Sequence, residues 1–302
     1  MKLRQILAGA VLAALATTAA QAEDIKLRIA SGHPAANTYV GLMQNFFVPE
    51  VTKRVAAKTK HKVEFIEGYG GAMVKVADTL EGVQSGIIDI GGYCFCFEPS
   101  NLPLHAFQVM LPFGTMDPEM SVKLAGAGLN LKWLEFAGAV PVQGSLVEAY
   151  TGLQTGVYNG WIMFPSGYVN FKLYEQGKYY TEIGFGAITW HGLTINQARW
   201  NRIPKDVQDI ILEVAKEYEE RTGTVNKENY PKQVEELKAK GAVVRKLPDS
   251  VTQDWAKSLE KWPAAMAKEL DGKGLPGTLV LETALKAAED NGHKWPVRYS
   301  TK

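Results

Sequence analysis

The chain has 302 residues, 46% of them hydrophobic and 22% charged. That is enough for two lobes or one large globular domain, and too apolar for a disordered chain. The formal net charge of +1 supplies no basic field for nucleic acid and no acidic tail, so no nucleic-acid partner is expected.

The first residues read as a secretory signal. Lys2 and Arg4 form a positive start, Ile6 to Ala19 an apolar Ala-rich core, and Ala20-Gln21-Ala22 a small-x-small cleavage site. The expected mature chain begins at Glu23. Losing the two cations takes the formal charge from +1 to −1. No Cys follows the apolar run to carry a lipid, and no later segment is long and apolar enough to cross a bilayer. The expected address is the periplasm.

Ile25 to Ala30 alternates as a first strand and runs into the loop Ser31-Gly32-His33-Pro34. Asn37 to Lys58 has helical periodicity, with Pro49 placed to bend it. Val63 to Glu67 is a second strand, followed by Gly68-Tyr69-Gly70-Gly71. Those glycines have neither phosphate-loop nor dinucleotide spacing. They suit a close backbone turn beside a pocket. Val74 to Ser85 reads as a helix and Ile87 to Gly91 as a third strand, with Tyr93 to Phe97 continuing it. The strand–helix alternation predicts an α/β fold with a parallel sheet.

Pro99, Pro103 and Pro112 break up the region to Phe113. Beyond it the pattern predicts helices over Met116–Leu124, Leu129–Phe136 and Val147–Thr155, and a strand at Ala139–Val142. Tyr179-Tyr180 and Phe185–Asn196 read as strands crossing between lobes. Two helices follow, Lys205–Arg221 and Lys227–Lys240, then a strand at Ala242–Arg245. A helix capped by Asp249 or Ser250 is predicted over Val251–Leu270, and a last one over Thr278–Asp290.

One phrase occurs twice. Leu80 to Gly91 and Ala149 to Trp161 share Gly-[Val/Leu]-Gln-[Ser/Thr]-Gly-[Ile/Val]-x-[Asp/Asn]. Each reads as a helix end, a glycine stop (Gly86, Gly156) and a strand. Two such phrases predict two similar lobes.

Catalytic signatures are missing. There is no Gly-x-Ser-x-Gly elbow and no His-Glu-x-x-His. Of the five histidines, His33 and His191 fall at strand ends near the expected cleft. Cys94 and Cys96 are the only cysteines. On an extended strand their Cα atoms are about 6.5–7 Å apart, the upper limit for a disulfide. Two buried thiols are the expected state, with a local disulfide as the alternative. No catalytic residue, cofactor or metal site is expected. Two α/β lobes without a reactive group suit ligand capture in a cleft at the strands' carboxyl ends.

These features resemble the periplasmic solute-binding proteins of tripartite ATP-independent periplasmic (TRAP) transporters, of the dicarboxylate-binding DctP type. The resemblance rests on Gly70-Gly71, on Gly86 to Gly91, on Leu111-Pro112-Phe113, and above all on Glu148 to Gly160. It implies a two-lobed, type II periplasmic binding protein-like fold that closes on a small organic acid. Delivery to the small and large membrane subunits of an ion-driven permease is also implied. The expected domains are a signal peptide (1–22), lobe 1 (23–113), lobe 2 (123–195) and a C-terminal helical region bridging them (196–302). An exported enzyme, or a sensor using the same fold, is the alternative.

Two departures from the family pattern bear on the site. The family's carboxylate-gripping Arg is replaced in Lys123-Leu124-Ala125, so Gly126 and Asn130 are expected to offer backbone N–H groups instead. Only Gly114 to Val122 separates Phe113 from Lys123, which predicts a shortened second lobe. The expected ligand site comprises His33, Tyr69, Gly71, Tyr93, Gly126, Asn130, Trp161, Met163 and Trp190, with Phe164 nearby. Trp161 follows the glycine of the second phrase and favours an aromatic or branched-chain acid.

Overall fold

A computed structural model of the chain describes residues 22–106, 111, 133–134, 142, 144, 146–157, 159–186 and 191–301. The elements predicted between Met116 and Val142 lie outside these, apart from helical Trp133 and Leu134 and the single residue Val142. The Gly114–Val122 interval, and with it the expected shortening of the second lobe, also lies outside.

The first strand, β1, is Asp24–Ala30. Ile25, Leu27 and Ile29 face the core and are at most 5% exposed, as the alternation requires. A helical run follows as α1 (Thr38–Leu42), a π-helical turn (Met43–Phe47) and α2 (Val48–Lys58). Pro49 sits in the first turn of α2, and the π turn before it absorbs the missing N–H. β2 is Lys62–Gly68, in parallel register with β1 from Asp24↔Lys62 to Ala30↔Gly68.

The next helix, α3 (Thr79–Gln84), enters through a 3₁₀ turn at Val76–Asp78. The third strand, β3, is Ile90–Cys94, three residues later than the apolar run suggests. Gly86 takes a left-handed φ of 75°, and the Ile88 N–H bonds back to the Gly82 carbonyl. Ile87 is thereby turned out to solvent at 56% exposure.

At Cys94 the chain bends into a 3₁₀ turn, Phe95–Phe97. That bend brings the Cα atoms of Cys94 and Cys96 to 5.0 Å, and the two are joined in a disulfide. The expected thiol pair is therefore corrected: the extended geometry that argued against a bond ends at Cys94.

Short helices follow: α4 (Pro103–Ala106), α5 (Ala149–Gln154) and α6 (Pro165–Asn170). β4 is Tyr179–Glu182 and β5 His191–Ile195. After α7 (Gln197–Trp200) comes α8, Lys205–Ala239, a single helix of 35 residues where two were expected. The polar break at residues 222–226 is helical, with the Thr222, Thr224 and Asn226 side chains donating to carbonyls four residues earlier. Pro231 lies inside this helix.

β6 is Val243–Lys246. The expected single helix over Val251–Leu270 is two, α9 (Asp249–Ser258) and α10 (Trp262–Gly272), because Pro263 starts a new helix. The N-cap of α9 is Pro248, without a side-chain cap from Asp249 or Ser250. The last helix, α11, is Gly277–Asp290.

Among the described residues the strands form two sheets. One has the order β2-β1-β3-β5, with β5 antiparallel, so the expected purely parallel sheet is mixed. The other pairs β4 with β6 in parallel. The first sheet packs on α1, α2 and the N-terminal half of α8 through Met43, Phe47, Val51, Val207 and Val214. The second packs on α5, α6 and the far end of α8 through Tyr168, Leu173, Tyr180 and Leu237. A third core joins the disulfide to α9, α10 and α11. The α8 helix thus ties both lobes. Its Tyr218 hydroxyl donates to the Tyr39 carbonyl, and its Tyr230 hydroxyl donates to the Glu182 carboxylate.

Candidate ligand cleft

The loops at the carboxyl ends of β1 and β2 are laced together. The Gly70 N–H donates to the His33 carbonyl at 2.9 Å, and the Ser31 N–H to the Gly68 carbonyl at 3.1 Å. Gly70 and Gly71 have φ of 69° and 87°. These are backbone angles that glycine adopts without strain, and they let the β2 loop lie against the β1 loop. His33, Tyr69 and Gly71 are thereby brought onto adjoining loops. Tyr69 is half-buried, with its hydroxyl donating to the Glu67 carboxylate at 2.9 Å. Burial, then Glu67, pushes that phenol up.

Tyr93 lies in β3, 2% exposed, edge-on to Phe95 at 5.3 Å between ring centres. It is a core residue below the loops, not an exposed wall. Its hydroxyl is buried without a hydrogen-bond partner among the described residues. Burial pushes this phenol up too.

The polar centre of the loop cluster lies on residues that the sequence did not single out as a unit. The Tyr39 hydroxyl is 2.9 Å from His33 Nδ1 and 3.3 Å from Ser31 Oγ, which also accepts the His33 N–H at 3.2 Å. His191, the first residue of β5, stacks on the Tyr39 ring at 4.1 Å. Phe97 lies edge-on to His33 at 5.8 Å. Burial holds the His33 imidazole down to about 4. Burial, and then the neighbouring His33, holds His191 down to about 3. Both rings are neutral near pH 7, which makes them hydrogen-bonding groups and not standing charges.

Trp161 and Met163 belong to the second lobe. They are partly buried against its core of Ala149, Tyr168 and Tyr180. The Met163 carbonyl accepts the Tyr180 hydroxyl at 3.1 Å, and Phe164 is 42% exposed. They do not share a packing cluster with His33 or Tyr69. A hydrogen bond from the Asn170 side chain on α6 to the Ala36 carbonyl, 2.6 Å, connects the two lobes beside the His33 loop. Gly126, Asn130 and Trp190 lie outside the described residues. Among the described residues, no group of three or more acidic, His or Cys side chains could hold a metal ion.

The repeated phrase divides in an informative way. Gly156 has a φ of 73°, close to Gly86, and the hydrogen bonds at the two helix ends match. The sequels differ. Asp89 accepts from the Arg28 N–H, Nε and Nη2 at 2.7, 3.1 and 3.2 Å, and this locks the β1–β3 junction. Asn159, its counterpart, is exposed, and residues 159–164 form no strand. The expected strand after Gly156 is corrected to an irregular segment leading to Pro165.

Comparison with known proteins agrees with this architecture. Residues 119–269 match the family model for bacterial extracellular solute-binding protein, family 7 (DctP). The structure is similar to a TRAP periplasmic solute-binding protein of Desulfovibrio salexigens, with a TM-score of 0.72 and 22% identity, covering 90% of this chain and 98% of the other. A Rhodoferax ferrireducens TRAP solute-binding protein in complex with copurified benzoate gives 0.76 and 14%, covering 88% and 98%. One from Bordetella bronchiseptica with bound (R)- and (S)-mandelate gives 0.75 and 18%, covering 88% and 99%.

Proposed function

Because the chain belongs to the bacterial extracellular solute-binding proteins of family 7, we propose that it captures a small organic acid between its lobes and hands it to the membrane subunits of a TRAP permease. The family match carries this reading. The lobe-spanning α8 and the laced loops at the strands' carboxyl ends support it, since open α/β sheets hold ligands there. Capture then takes place without chemistry on the ligand, and the protein acts as a binder and not as an enzyme.

We place the work in the periplasm, after removal of residues 1–22. One observation favours that boundary. The Glu23 carbonyl already accepts the Lys62 N–H at 2.9 Å, so sheet pairing starts at the first residue of the proposed mature chain. Among the described residues, no helix is long and apolar enough to cross a membrane.

The ligand class we favour is an aromatic acid. The His33–Tyr39–His191–Phe97 group packs four rings beneath the first lobe's loops, with Phe97 exposed at its edge. Trp161 and Phe164 supply rings on the other lobe. The benzoate and mandelate bound by the structural relatives point the same way. A thermal-shift screen of the processed protein against benzoate, mandelate, aliphatic dicarboxylates and sugar acids tests both levels. A ligand at 100 times its Kd should stabilise the protein by about 2.7 kcal/mol. Stabilisation by sugar acids alone would remove the aromatic assignment. A folded protein that no acid stabilises would remove the binding function.

A further inference from the structure

The cluster beneath the β1 loop holds more titratable chemistry than a ligand wall needs. Tyr39 is 4% exposed and His33 7%, yet the tyrosine hydroxyl stands between Ser31 Oγ and His33 Nδ1. His191 covers the tyrosine ring, with an interplanar angle of 23°. With Nδ1 engaged, His33 Nε2 has no hydrogen-bond partner among the described residues, and the residue keeps 7% of its surface open to solvent.

The hydroxyl chain has two complete arrangements. With His33 neutral, Ser31 donates to Tyr39 and Tyr39 donates to Nδ1. With His33 protonated, Nδ1–H donates to Tyr39 and Tyr39 donates to Ser31. No heavy atom moves between them.

We propose that this cluster couples capture to a proton: an acid whose carboxylate docks on His33 Nε2 enters the cleft together with one proton taken up by the His33–Tyr39–His191 group. The inference rests on the organic-acid reading above. The proton comes from solvent and bonds to an imidazole nitrogen, and no bond in the ligand breaks.

The neighbours explain why the proton is absent beforehand. Tyr39 and Tyr218 behind it stay protonated, because burial pushes both phenols up. Carboxylates in adjoining segments include Glu67, which accepts from Tyr69, and Glu98, which accepts from Asn101. Burial alone holds His33 down, and burial and then His33 hold His191 down, with no carboxylate among the causes. His105 lies edge-on to Phe95. A docked carboxylate supplies the missing counter-charge. An opposite charge within about 4–6 Å moves a titrating group by ~1–3 units. That carries His33 from about 4 to ~6 in the complex.

The sign follows. The bound-state value is raised, so affinity is greatest below it and declines as pH rises through it. At pH 5 the complex should take up about 0.8 proton per ligand, and affinity should fall about tenfold between pH 5 and 7. The test is calorimetric titration of the processed protein with benzoate, or with whichever acid of the screen stabilises it most, in buffers of different ionisation heat. His33→Gln should fold, bind more weakly, and lose both the uptake and the pH slope. Should that variant not fold, imidazole NMR titration of the unaltered protein reads the same event as a rise in the His33 value on binding. Saturable binding with no proton uptake and no His33 shift overturns the inference and leaves the binding function standing. Absence of binding to every acid overturns the function itself.

Discussion

His33 and His191 make the unliganded protein acid-sensitive. In the folded chain both imidazoles are held below the ordinary value of 6.5, at about 4 and about 3, and the leading cause is burial. The unfolded chain therefore binds more protons in that window. Their contribution to stability is fully present above about pH 6.5 and drains away as pH falls towards 4. For His33 it is on the order of 3 kcal/mol. Urea unfolding at pH 7, 5 and 4 should show a shallower loss for His33→Gln than for the unaltered protein. Equal slopes would mean that His33 is not buried neutral. The pair was half legible beforehand. Each histidine falls at a strand end in the sequence, but their meeting across Tyr39 depends on β5 running antiparallel beside β3. No local pattern carries that pairing.

The repeated helix–glycine phrase shows what an element owes to its sequence and what it owes to its partners. Both helices stop at a left-handed glycine with the same hydrogen bonds, so the local part repeats faithfully. Only the first continues as a strand, because Asp89 finds the Arg28 guanidinium and backbone N–H waiting on β1. Asp89→Ala should cost about 2–3 kcal/mol in urea unfolding, since it strands a hydrogen-bonded guanidinium and an N–H. Asn159→Ala should stay within about 0.5 kcal/mol. Similar losses at both sites would contradict the asymmetry. β1 and β2 were readable to within one or two residues because their alternation reports their burial. β3 was misplaced because Ile87 and Ile88 look like strand residues but lie in the turn. The length of α8 was hidden by a polar stretch at residues 222–226 that read as a break.

At the scale of the molecule, α8 fastens to the first lobe through Tyr218 and to the second through Tyr230. The cleft loops are rooted in the first sheet, and Asn170 reaches them from the second lobe. That arrangement favours opening and closing about a shared strut over independent motion of two domains. The two-lobed binding fold was legible from export features, the doubled phrase and the family-like run Glu148 to Gly160. Which side chains meet in the cleft was not, because Tyr39 and Phe97 reach it only through folding of distant segments. The central claim is capture of an organic acid without turnover. Its most direct measurement is titration of the processed protein with benzoate and mandelate, followed by recovery of the acid. The account predicts saturation at one acid per chain, with the acid returned unchanged. Consumption of the acid, or a folded protein that binds none of the screened acids, would contradict it.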